Sequence, residues 1–375
     1  MLIFYSYIGY AVIISLIIPF IKKNTGTIDL NELPEITLII ASYNEEKVLA
    51  EKMENILQLN YPLEKLFVIV VTDGSTDNSE SILSNYKMVQ VIHEAERKGK
   101  VAAINRAMGF VKTPFVVFND ANGLLNSDSI LNIAKHFSDK KAGAVAGEKK
   151  VAHTSGMGTA EGWYWKYESF MKKLDSSFYS VINAAGEVFS MRTHLFKPLN
   201  EQIILDDFIL SIRICLKGYK IIYEPEAFAI EMPSVSLKEE EKRKVRIATG
   251  AFQSLRFLSF GELLHRPILF FQFFSRRWLR WVFCPPSIIA ILLINIVLSF
   301  THSNVLYDYL LFVQLVLYSL AVAGWLLIRR NHAFVFTTLP FYFLFMNFCM
   351  LKGAYIYLLN KQTVMWPKAE RTVSK

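Results

Sequence analysis

The sequence VIVVTDGSTDNSE, residues 68–80, begins as an uncharged run of branched residues and then changes abruptly to hydroxyl and carboxyl side chains. The apolar run is typical of a buried strand, and Asp73, Ser75 and Thr76 follow at its carboxyl end. Hydroxyls and acids at this position are also ordinary turn and helix-capping chemistry. The stretch therefore predicts a strand that ends in a polar turn, and it leaves open whether that turn binds a ligand.

Further apolar strands alternate with helical segments on both sides of this stretch. Strands are predicted at ITLIIAS (36–42), MVQVIH (88–93) and PFVVFND (114–120), and helices at 44–59 and 100–111. Strands that are apolar throughout and separated by helices indicate a mostly parallel sheet covered on both faces. In such sheets a ligand binds beyond the carboxyl ends of the strands.

Polar residues follow these strands at four places along the chain. The segments are ASYNEE (41–46), TDGSTD (72–77), ERKGKVAAIN (96–105) and FNDANG (118–123). A nucleotide diphosphate accounts for them, because a lysine neutralises phosphate and an Asp-x-Asn pair offers oxygens to a hard divalent ion. A Rossmann dinucleotide site is disfavoured, because no Gly-x-Gly-x-x-Gly follows the first strand.

Two adjacent acids occur further along the chain, where Asp206 and Asp207 open a helix-like segment. Acids at the start of a helix are ordinary partners of the helix dipole. Two neighbouring carboxylates are also a source of one general base. The residues by themselves favour neither interpretation.

The composition places the chain at a membrane. Of its 375 residues 53% are hydrophobic, and the mean hydropathy is +0.29. Residues 2–21 carry no charge, and their number is about what a bilayer core requires. Because basic residues favour the cytoplasmic side, Lys22 and Lys23 predict that the following part of the chain is cytoplasmic. Three more apolar stretches lie at 281–300, 306–328 and 333–359.

The net charge of +8 comes partly from basic residues at the predicted span ends. An anionic lipid surface explains them better than nucleic acid does. They are Arg276, Arg277, Arg280, Arg329, Arg330, Lys368, Arg371 and Lys375. Three simple passes after the central domain would leave the basic tail outside, against the preference of its charges. One stretch is therefore expected to be re-entrant or interfacial, and 333–359 is the best candidate.

Together these motifs resemble the membrane-embedded family 2 glycosyltransferases, the group that contains cellulose, hyaluronan and poly-N-acetylglucosamine synthases. The resemblance covers residues 34–250 through the order and spacing of short motifs, and the flanking spans and the tail extend it. The motifs are ASYNEE, TDGSTD, GKVAAIN, NDAN, AAGEVFSMR (184–192), LDDF (205–208), RKVRI (243–247) and KQTVMWPKAER (361–371).

The resemblance implies an α/β GT-A fold, which is Rossmann-like with a mostly parallel sheet, in a cytoplasmic domain with transmembrane helices at both ends. The expected location is the inner or plasma membrane, with several passes. The segments expected are an N-terminal transmembrane helix at 1–22, a GT-A domain at 28–264, an interfacial amphipathic helix at 265–281, a C-terminal transmembrane region at 282–360 and a basic tail at 361–375.

The resemblance also implies roles for individual residues. Asp207 is expected to be the catalytic base, with Asp206 as the acid before it. Asp120 and Asn122 match the family's Asp-x-Asp motif for Mg²⁺ or Mn²⁺, with Asn in place of the second acid. The nucleotide-binding residues expected are Tyr43, Glu45, Asp73, Lys100 and Asp120, and those near the acceptor and the diphosphate are Gly186, Glu187, Arg243 and Arg246.

Two departures from the family's pattern bear on function. The processive members carry Gln-x-x-Arg-Trp, and here Arg246 is kept while Ile247 stands in place of the tryptophan. This argues against a long-chain synthase of the cellulose synthase type. Thr72 replaces the first acid of the usual Asp-Asp-Gly-Ser, and this departure concerns one of the nucleotide contacts that the resemblance implies.

Three functional hypotheses follow. The leading one is an inverting, metal-dependent transfer of a sugar from a nucleotide donor, expected to be UDP-linked, to a growing cell-surface glycan. The second is transfer of one sugar to a lipid or polyprenyl-phosphate acceptor. The third is not an enzymatic function: the chain would be a catalytically inactive subunit of a secretion complex that binds a nucleotide sugar. The expected partners are the nucleotide sugar, the glycan or lipid-linked acceptor, the bilayer, and a secretion partner or a second copy of the chain; no nucleic acid is expected.

Overall fold

A computed structural model describes residues 1–21, 33–152, 157–184, 186–301 and 304–363 of the chain. Lys22, Lys23, Ala185 and the part of the predicted basic tail beyond residue 363 lie outside the described residues. Within them the strands are β1 (Ile36–Ser42), β2 (Leu66–Asp73), β3 (Val89–Glu94), β4 (Phe115–Asp120), β5 (Leu124–Leu125), β6 (Ala142–Val151), β7 (Phe189–Arg192) and β8 (Lys220–Glu231).

The helices alternate with these strands through the central part of the chain. In chain order they are α1 (Leu2–Phe20), α2 (Glu46–Leu57), α3 (Ser79–Leu83), α4 (Lys100–Met108), α5 (Ser129–Lys135), α6 (Met157–Phe178), α7 (Asp206–Leu216), α8 (Leu237–Arg256), α9 (Phe260–Leu264), α10 (Pro267–Thr301), α11 (Val305–Arg329) and α12 (Val335–Leu358).

The strands form one mixed sheet in the order β3-β2-β1-β4-β7-β6-β8-β5. The pairs β3-β2, β2-β1, β1-β4 and β6-β8 are parallel, while β7 and β5 pair antiparallel with their neighbours. The prediction of a mostly parallel sheet is therefore confirmed. The short β7 is the element that reverses direction and joins the two parallel parts.

Both faces of the sheet are buried, which explains why its strands are apolar throughout. Ile39 of β1 packs into one hydrophobic cluster with helices α4 and α7, and the adjacent Leu38 and Ile40 pack into another with α2 and α5. Successive side chains of a strand point to opposite faces, so a strand covered on both sides needs apolar residues at every position.

The strand β2 is two residues longer than its apolar run. It continues through Thr72 and Asp73, which pair in register with His93 and Glu94 of β3. The turn then follows at Gly74, whose φ of +69° is a conformation that favours glycine. Asp73 is thus the last residue of a buried strand, and the polar turn begins after it.

Four helices of the described chain are long and apolar enough to cross a membrane: α1, α10, α11 and α12. They agree with the apolar stretches of the sequence at both ends of the domain, and the chain is a membrane protein. The helix α10 is longer than expected, because it runs from Pro267 to Thr301 without a break. The segment 265–281 is therefore not a separate interfacial helix; most of it is the first half of α10.

Two arginines in this half of α10, Arg276 and Arg280, are buried against the domain, which corrects their assignment to a lipid surface. Arg276 donates to Asp175 at 2.9 Å, and Arg280 donates to Glu168 at 2.8 Å. Both acids belong to α6, and Arg276 is fully buried. The carboxylate partners lie on a helix that is distant in the sequence, so the sequence does not reveal them. The positive charge of the arginines and their position beside an apolar stretch predicted a lipid surface instead.

The last helix, α12, lies alongside α8 of the domain. Tyr342 donates to Glu240 at 3.0 Å, and Lys352 pairs with Glu241 at 2.6 Å. Close to Lys352, Gly353 packs against Ala248. The contacts thus advance in the same direction along both helices, so α8 and α12 run roughly parallel. That 333–359 is interfacial or re-entrant stays a prediction, and this pairing with a helix of the domain favours it.

Candidate active site

A cleft of about 220 Å³ opens at the carboxyl ends of β1 and β4. These strands are parallel neighbours, with Ala41 opposite Asp120, so the segments that follow them meet at one edge of the sheet. Every site residue expected from the sequence except Asp73 lines this cleft. They are Tyr43, Glu45, Lys100, Asp120, Asn122, Gly186, Glu187, Asp206, Asp207, Arg243 and Arg246.

An ion pair between Lys100 and Asp120 lies in the cleft. Lys100 begins α4 and Asp120 ends β4, and the ammonium donates to Asp120 Oδ1 at 2.8 Å. Burial disfavours the charge of the lysine, but the carboxylates of Asp120, Asp206 and Asp207 outweigh it and raise the pKa of Lys100. Lys100 therefore stays charged at neutral pH and is suited to binding phosphate oxygens.

Asp207 is a cleft carboxylate that binds a proton more readily than an ordinary aspartate does. Burial, and next the negative charge of Asp206, raise its pKa from 3.8 to about 7. Its Oδ1 accepts from the Phe208 N–H at 2.7 Å. A methyl group added at Gly186 would lie 3.4 Å from both Asp207 Oδ2 and Lys100 Nζ. The glycine thus brings its backbone close to Asp207 Oδ2 and to the Lys100 ammonium.

Glu187 lines the cleft as a fixed anion. It accepts from Lys149 at 2.6 Å, and the fully buried ammonium of Lys149 also pairs with Glu231 at 2.5 Å. Burial disfavours the ionised carboxylate, but the positive charge of Lys149 outweighs it and holds the pKa of Glu187 well below its usual range. The side chain therefore keeps its charge and its position while Asp207 titrates.

The two arginines expected near the diphosphate differ in how they are held. Arg243 pairs with Glu161 at 2.5 Å and with Glu240 at 3.1 Å, so its guanidinium is fixed from two sides. Arg246 forms no ion pair with the residues that the structure describes, and its buried Nε has no hydrogen-bond partner among them. Arg246 is therefore the arginine available to a phosphate.

Asp73 differs from expectation, because the structure does not bring it to the cleft. Its side chain is fully buried and accepts from the backbone N–H of Lys98 at 3.1 Å and of Gly99 at 2.6 Å. These bonds fix the loop that leads into Lys100. In the same loop, the Arg97 guanidinium stacks 3.5 Å from the ring centre of Tyr43. In this structure Asp73 therefore supports the loop, and its assignment to the nucleoside stays a prediction.

The residues around Asp120 fit a divalent ion that binds together with a diphosphate. The described residues include no group of three or more His, Cys, Asp or Glu side chains able to hold a metal by themselves. Asp120 and Asn122 both line the cleft and offer oxygen atoms. Mg²⁺ is commonly held by one or two carboxylates together with substrate phosphates, so the pair suits an ion bound to a diphosphate.

Sequence reasoning missed two groups of residues around the cleft. Glu239 and Lys242 of α8 line the cleft and pair with each other at 2.6 Å, although their segment is typical of a solvated helix with i,i+3 pairs.

Lys52 lies fully buried beneath the cleft and donates to Asn119 and to the Gly123 carbonyl. Its burial lowers the pKa of Lys52 to about 7. No local signal identifies a buried lysine in an amphipathic helix.

The sheet and its covering helices define the fold of the central domain as GT-A. Residues 37–199 match the family model described as glycosyl transferase family 2. This part of the chain is a family 2 glycosyltransferase domain, so the resemblance seen in the sequence is confirmed.

Comparison with curated proteins points to the same family. The chain is 27% identical over 275 residues to the poly-beta-1,6-N-acetyl-D-glucosamine synthase of Staphylococcus aureus (strain COL), covering 68% of this chain. It is 25% identical over 280 residues to the probable glycosyltransferase YdaM of Bacillus subtilis, covering 67% of this chain. In both cases the match spans 64% of the relative's length.

Comparison with solved structures confirms the GT-A fold, and the similarity extends over nearly the whole chain. The mannosyltransferase PcManGT from Pyrobaculum calidifontis, solved in complex with GDP-Man and Mn²⁺, superimposes with a TM-score of 0.73. The superposition covers 96% of each chain at 20% sequence identity. It includes the apolar helices at both ends, and it concerns the fold alone.

Proposed function

We propose that this chain transfers N-acetylglucosamine from UDP-N-acetylglucosamine to a growing cell-surface glycan, with inversion at the anomeric carbon. The observation that carries the proposal is the meeting of Lys100, Asp120 and Asp207 in one cleft, although they belong to α4, β4 and α7. The synthase of Staphylococcus aureus supports the choice of sugar and acceptor, because it matches 68% of this chain.

Donor binding is assigned to the strand-end residues. Tyr43 and Glu45 follow β1 and line the cleft, and they are proposed to hold the nucleoside. Lys100 and Arg246 bring two positive charges to the cleft, and these would bind the diphosphate and stabilise the charge that develops on it. Arg243, held by two glutamates, would contribute a guanidinium at a fixed position beside them.

Asp207 performs the proton transfer in this proposal. Its Oδ2 accepts the proton of an acceptor hydroxyl while that oxygen forms a bond to the anomeric carbon. The bond from this carbon to the diphosphate oxygen breaks, and UDP leaves with the electron pair. A pKa of about 7 makes the carboxylate a stronger base than an ordinary aspartate and leaves it substantially ionised near neutral pH.

A Mg²⁺ or Mn²⁺ ion is proposed as the cofactor, held by Asp120 and Asn122 together with the donor phosphates. When bound, such an ion neutralises the negative charge of the leaving diphosphate. The ion pair of Asp120 with Lys100 keeps the carboxylate at the position where that diphosphate is expected. Asn122 supplies an oxygen without a charge, so weaker ion binding is expected than with two acids.

The membrane arrangement proposed is multi-pass, with the domain on the cytoplasmic face. Nucleotide sugars are used on that side, and the four apolar helices flank the domain in the chain. The residues at 28–264 are proposed as the transferase domain. A secretion partner or a second copy of the chain is proposed for translocation, because four spans are few for a pore.

A second candidate function is the transfer of one sugar to a lipid-linked acceptor. The observation that favours it is Ile247, which lines the cleft and is 39% exposed where processive enzymes of the resembled family carry tryptophan. An isoleucine offers no aromatic face on which an acceptor sugar would stack. The silent-subunit hypothesis is disfavoured, because the lysine and the two aspartates needed for transfer all line the cleft.

The proposal is tested with detergent-solubilised protein, a panel of UDP-sugars and GDP-mannose, and Mg²⁺ or Mn²⁺. UDP release from UDP-N-acetylglucosamine in excess of the other donors is expected, together with a polymeric product. Release of GDP or of UDP from another donor would overturn the assignment of the sugar. A product that carries a single added sugar on extracted lipid would favour the second candidate.

A further inference from the structure

A second cavity, of about 380 Å³, lies among α1, α6, α10 and α12 and shares no lining residue with the catalytic cleft. Three of these helices are candidate membrane spans. Its wall is largely aromatic, with further apolar residues from α1 and α12. The aromatic residues are Tyr7, Trp163, Tyr164, Tyr167, Trp281, Tyr342 and Phe343.

Three cations face two anions beside this cavity. Arg276 and Arg280 have close carboxylate partners, at 2.9 Å in Asp175 and 2.8 Å in Glu168. Arg277 lines the cavity and reaches only Glu168, at 3.7 Å, which the other two arginines also contact. The cluster therefore carries one more positive than negative charge, and Arg277 is the least neutralised member.

Two buried polar atoms of cavity-lining residues have no hydrogen-bond partner within the described chain. One is Nε of Arg277, which is 8% exposed, and the other is Oγ1 of Thr338, which is fully buried. A buried polar group without a partner is costly, and most such groups in native proteins are satisfied. A guanidinium and a hydroxyl would both be satisfied by the oxygens of one anion.

We infer that this cavity binds the headgroup phosphate of an anionic membrane lipid between Arg277 and Thr338. The aromatic wall, with Leu339, Met346 and Met350 of α12, provides an apolar path for the lipid chains. A free phosphate would gain nothing from such a wall, and a neutral glycan would leave the guanidinium without an anion. Both properties are met by a lipid phosphate, which has an anionic head on an apolar body.

The test uses native mass spectrometry of the full chain in detergent, titrated separately with four compounds. These are phosphatidylglycerol, phosphatidylcholine, glycerol 3-phosphate and a neutral N-acetylglucosamine oligosaccharide. One phosphatidylglycerol per chain is expected to bind about tenfold or more tighter than phosphatidylcholine, because only the former has net negative charge. Equal binding of the two lipids would overturn the inference, and so would binding of glycerol 3-phosphate or the oligosaccharide as tight as that of phosphatidylglycerol.

Two variants locate the site, and a third controls for charge. Thr338→Val removes one hydroxyl at nearly constant shape, and Arg277→Gln removes the unneutralised charge. Arg330→Gln removes an exposed cation at the end of α11, which does not line the cavity. The dissociation constant for phosphatidylglycerol is expected to rise several-fold in the first variant and about tenfold or more in the second, and to stay unchanged in the control.

The control for folding is Thr338→Val, since a loss of one hydroxyl leaves the packing of α12 intact. Its thermal unfolding midpoint in detergent is expected to match that of the unchanged protein. Unchanged lipid binding in Thr338→Val and Arg277→Gln would overturn the inference, as would an equal loss in Arg330→Gln.

Discussion

Replacement of Asp206 by asparagine tests the origin of the basicity of Asp207. Asp206 is adjacent in sequence, lines the same cleft and is the second cause, after burial, of the high pKa of Asp207. The substitution keeps the size of the side chain and removes its charge. The ionised form of Asp207 then meets less repulsion, so the pKa of Asp207 is expected to fall.

The size of the effect follows from the position of that pKa. With a pKa of about 7, roughly a tenth of the Asp207 side chains are ionised at pH 6. Removal of a like charge a few ångströms away typically lowers a pKa by about one unit. About half of the side chains would then be ionised at pH 6, so the rate there rises about fivefold relative to the plateau at high pH.

The assay is UDP release at saturating donor, recorded across the pH range for the unchanged protein and for Asp206→Asn. The unchanged protein is expected to lose activity as the pH falls through about 7, because Asp207 becomes protonated. The variant is expected to retain activity to lower pH, whatever happens to its plateau rate. An acidic limb at the same pH in both proteins would refute the assigned coupling of the two aspartates.

Three further predictions concern the surroundings of the cleft. Lys149→Met leaves the buried Glu231 and the partly buried Glu187 without their cation and is expected to destabilise the protein by about 3–5 kcal/mol, seen as a lower unfolding midpoint; an unchanged midpoint would contradict this. Gly74→Ala is expected to weaken UDP binding, because a Cβ there would lie 2.7 Å from the Arg97 backbone nitrogen, whereas the control Gly261→Ala meets nothing within 4 Å and should bind UDP normally. Asn122→Asp adds a charge at the proposed ion site and is expected to lower the Mn²⁺ concentration for half-maximal activity; activity that persists in a chelator would argue against a metal.

The fold and much of the cleft could be predicted because their signals are local. The apolar runs in ITLIIAS and VIVVTD indicate strands buried on both faces, and the polar residues at the strand ends are adjacent to them in sequence. Parallel pairing then brings those ends to one edge of the sheet, which is why the sequence alone groups Tyr43, Lys100 and Asp120 at one site.

The features that could not be predicted depend on interaction partners that are distant in the sequence. The sequence of the strand that contains Lys149 does not show which acid pairs with this lysine. Its partner Glu231 is 82 residues away. Arg276 looks like a juxtamembrane cation, yet it is buried against Asp175 of α6. The carboxylate of Asp73 accepts hydrogen bonds from backbone N–H groups of the loop before Lys100, and the sequence does not specify the path of that loop.

The most direct test of the central claim compares donor binding with sugar transfer in Asp207→Asn. The substitution removes the proposed base and leaves Lys100 and Arg246 in the cleft. UDP-N-acetylglucosamine binding, measured by calorimetry, is expected to stay within a few-fold of the unchanged protein, while transfer falls by about a hundredfold or more. Transfer that survives the substitution would contradict the assignment of Asp207 as the base, and it would require another group in the cleft to accept the proton.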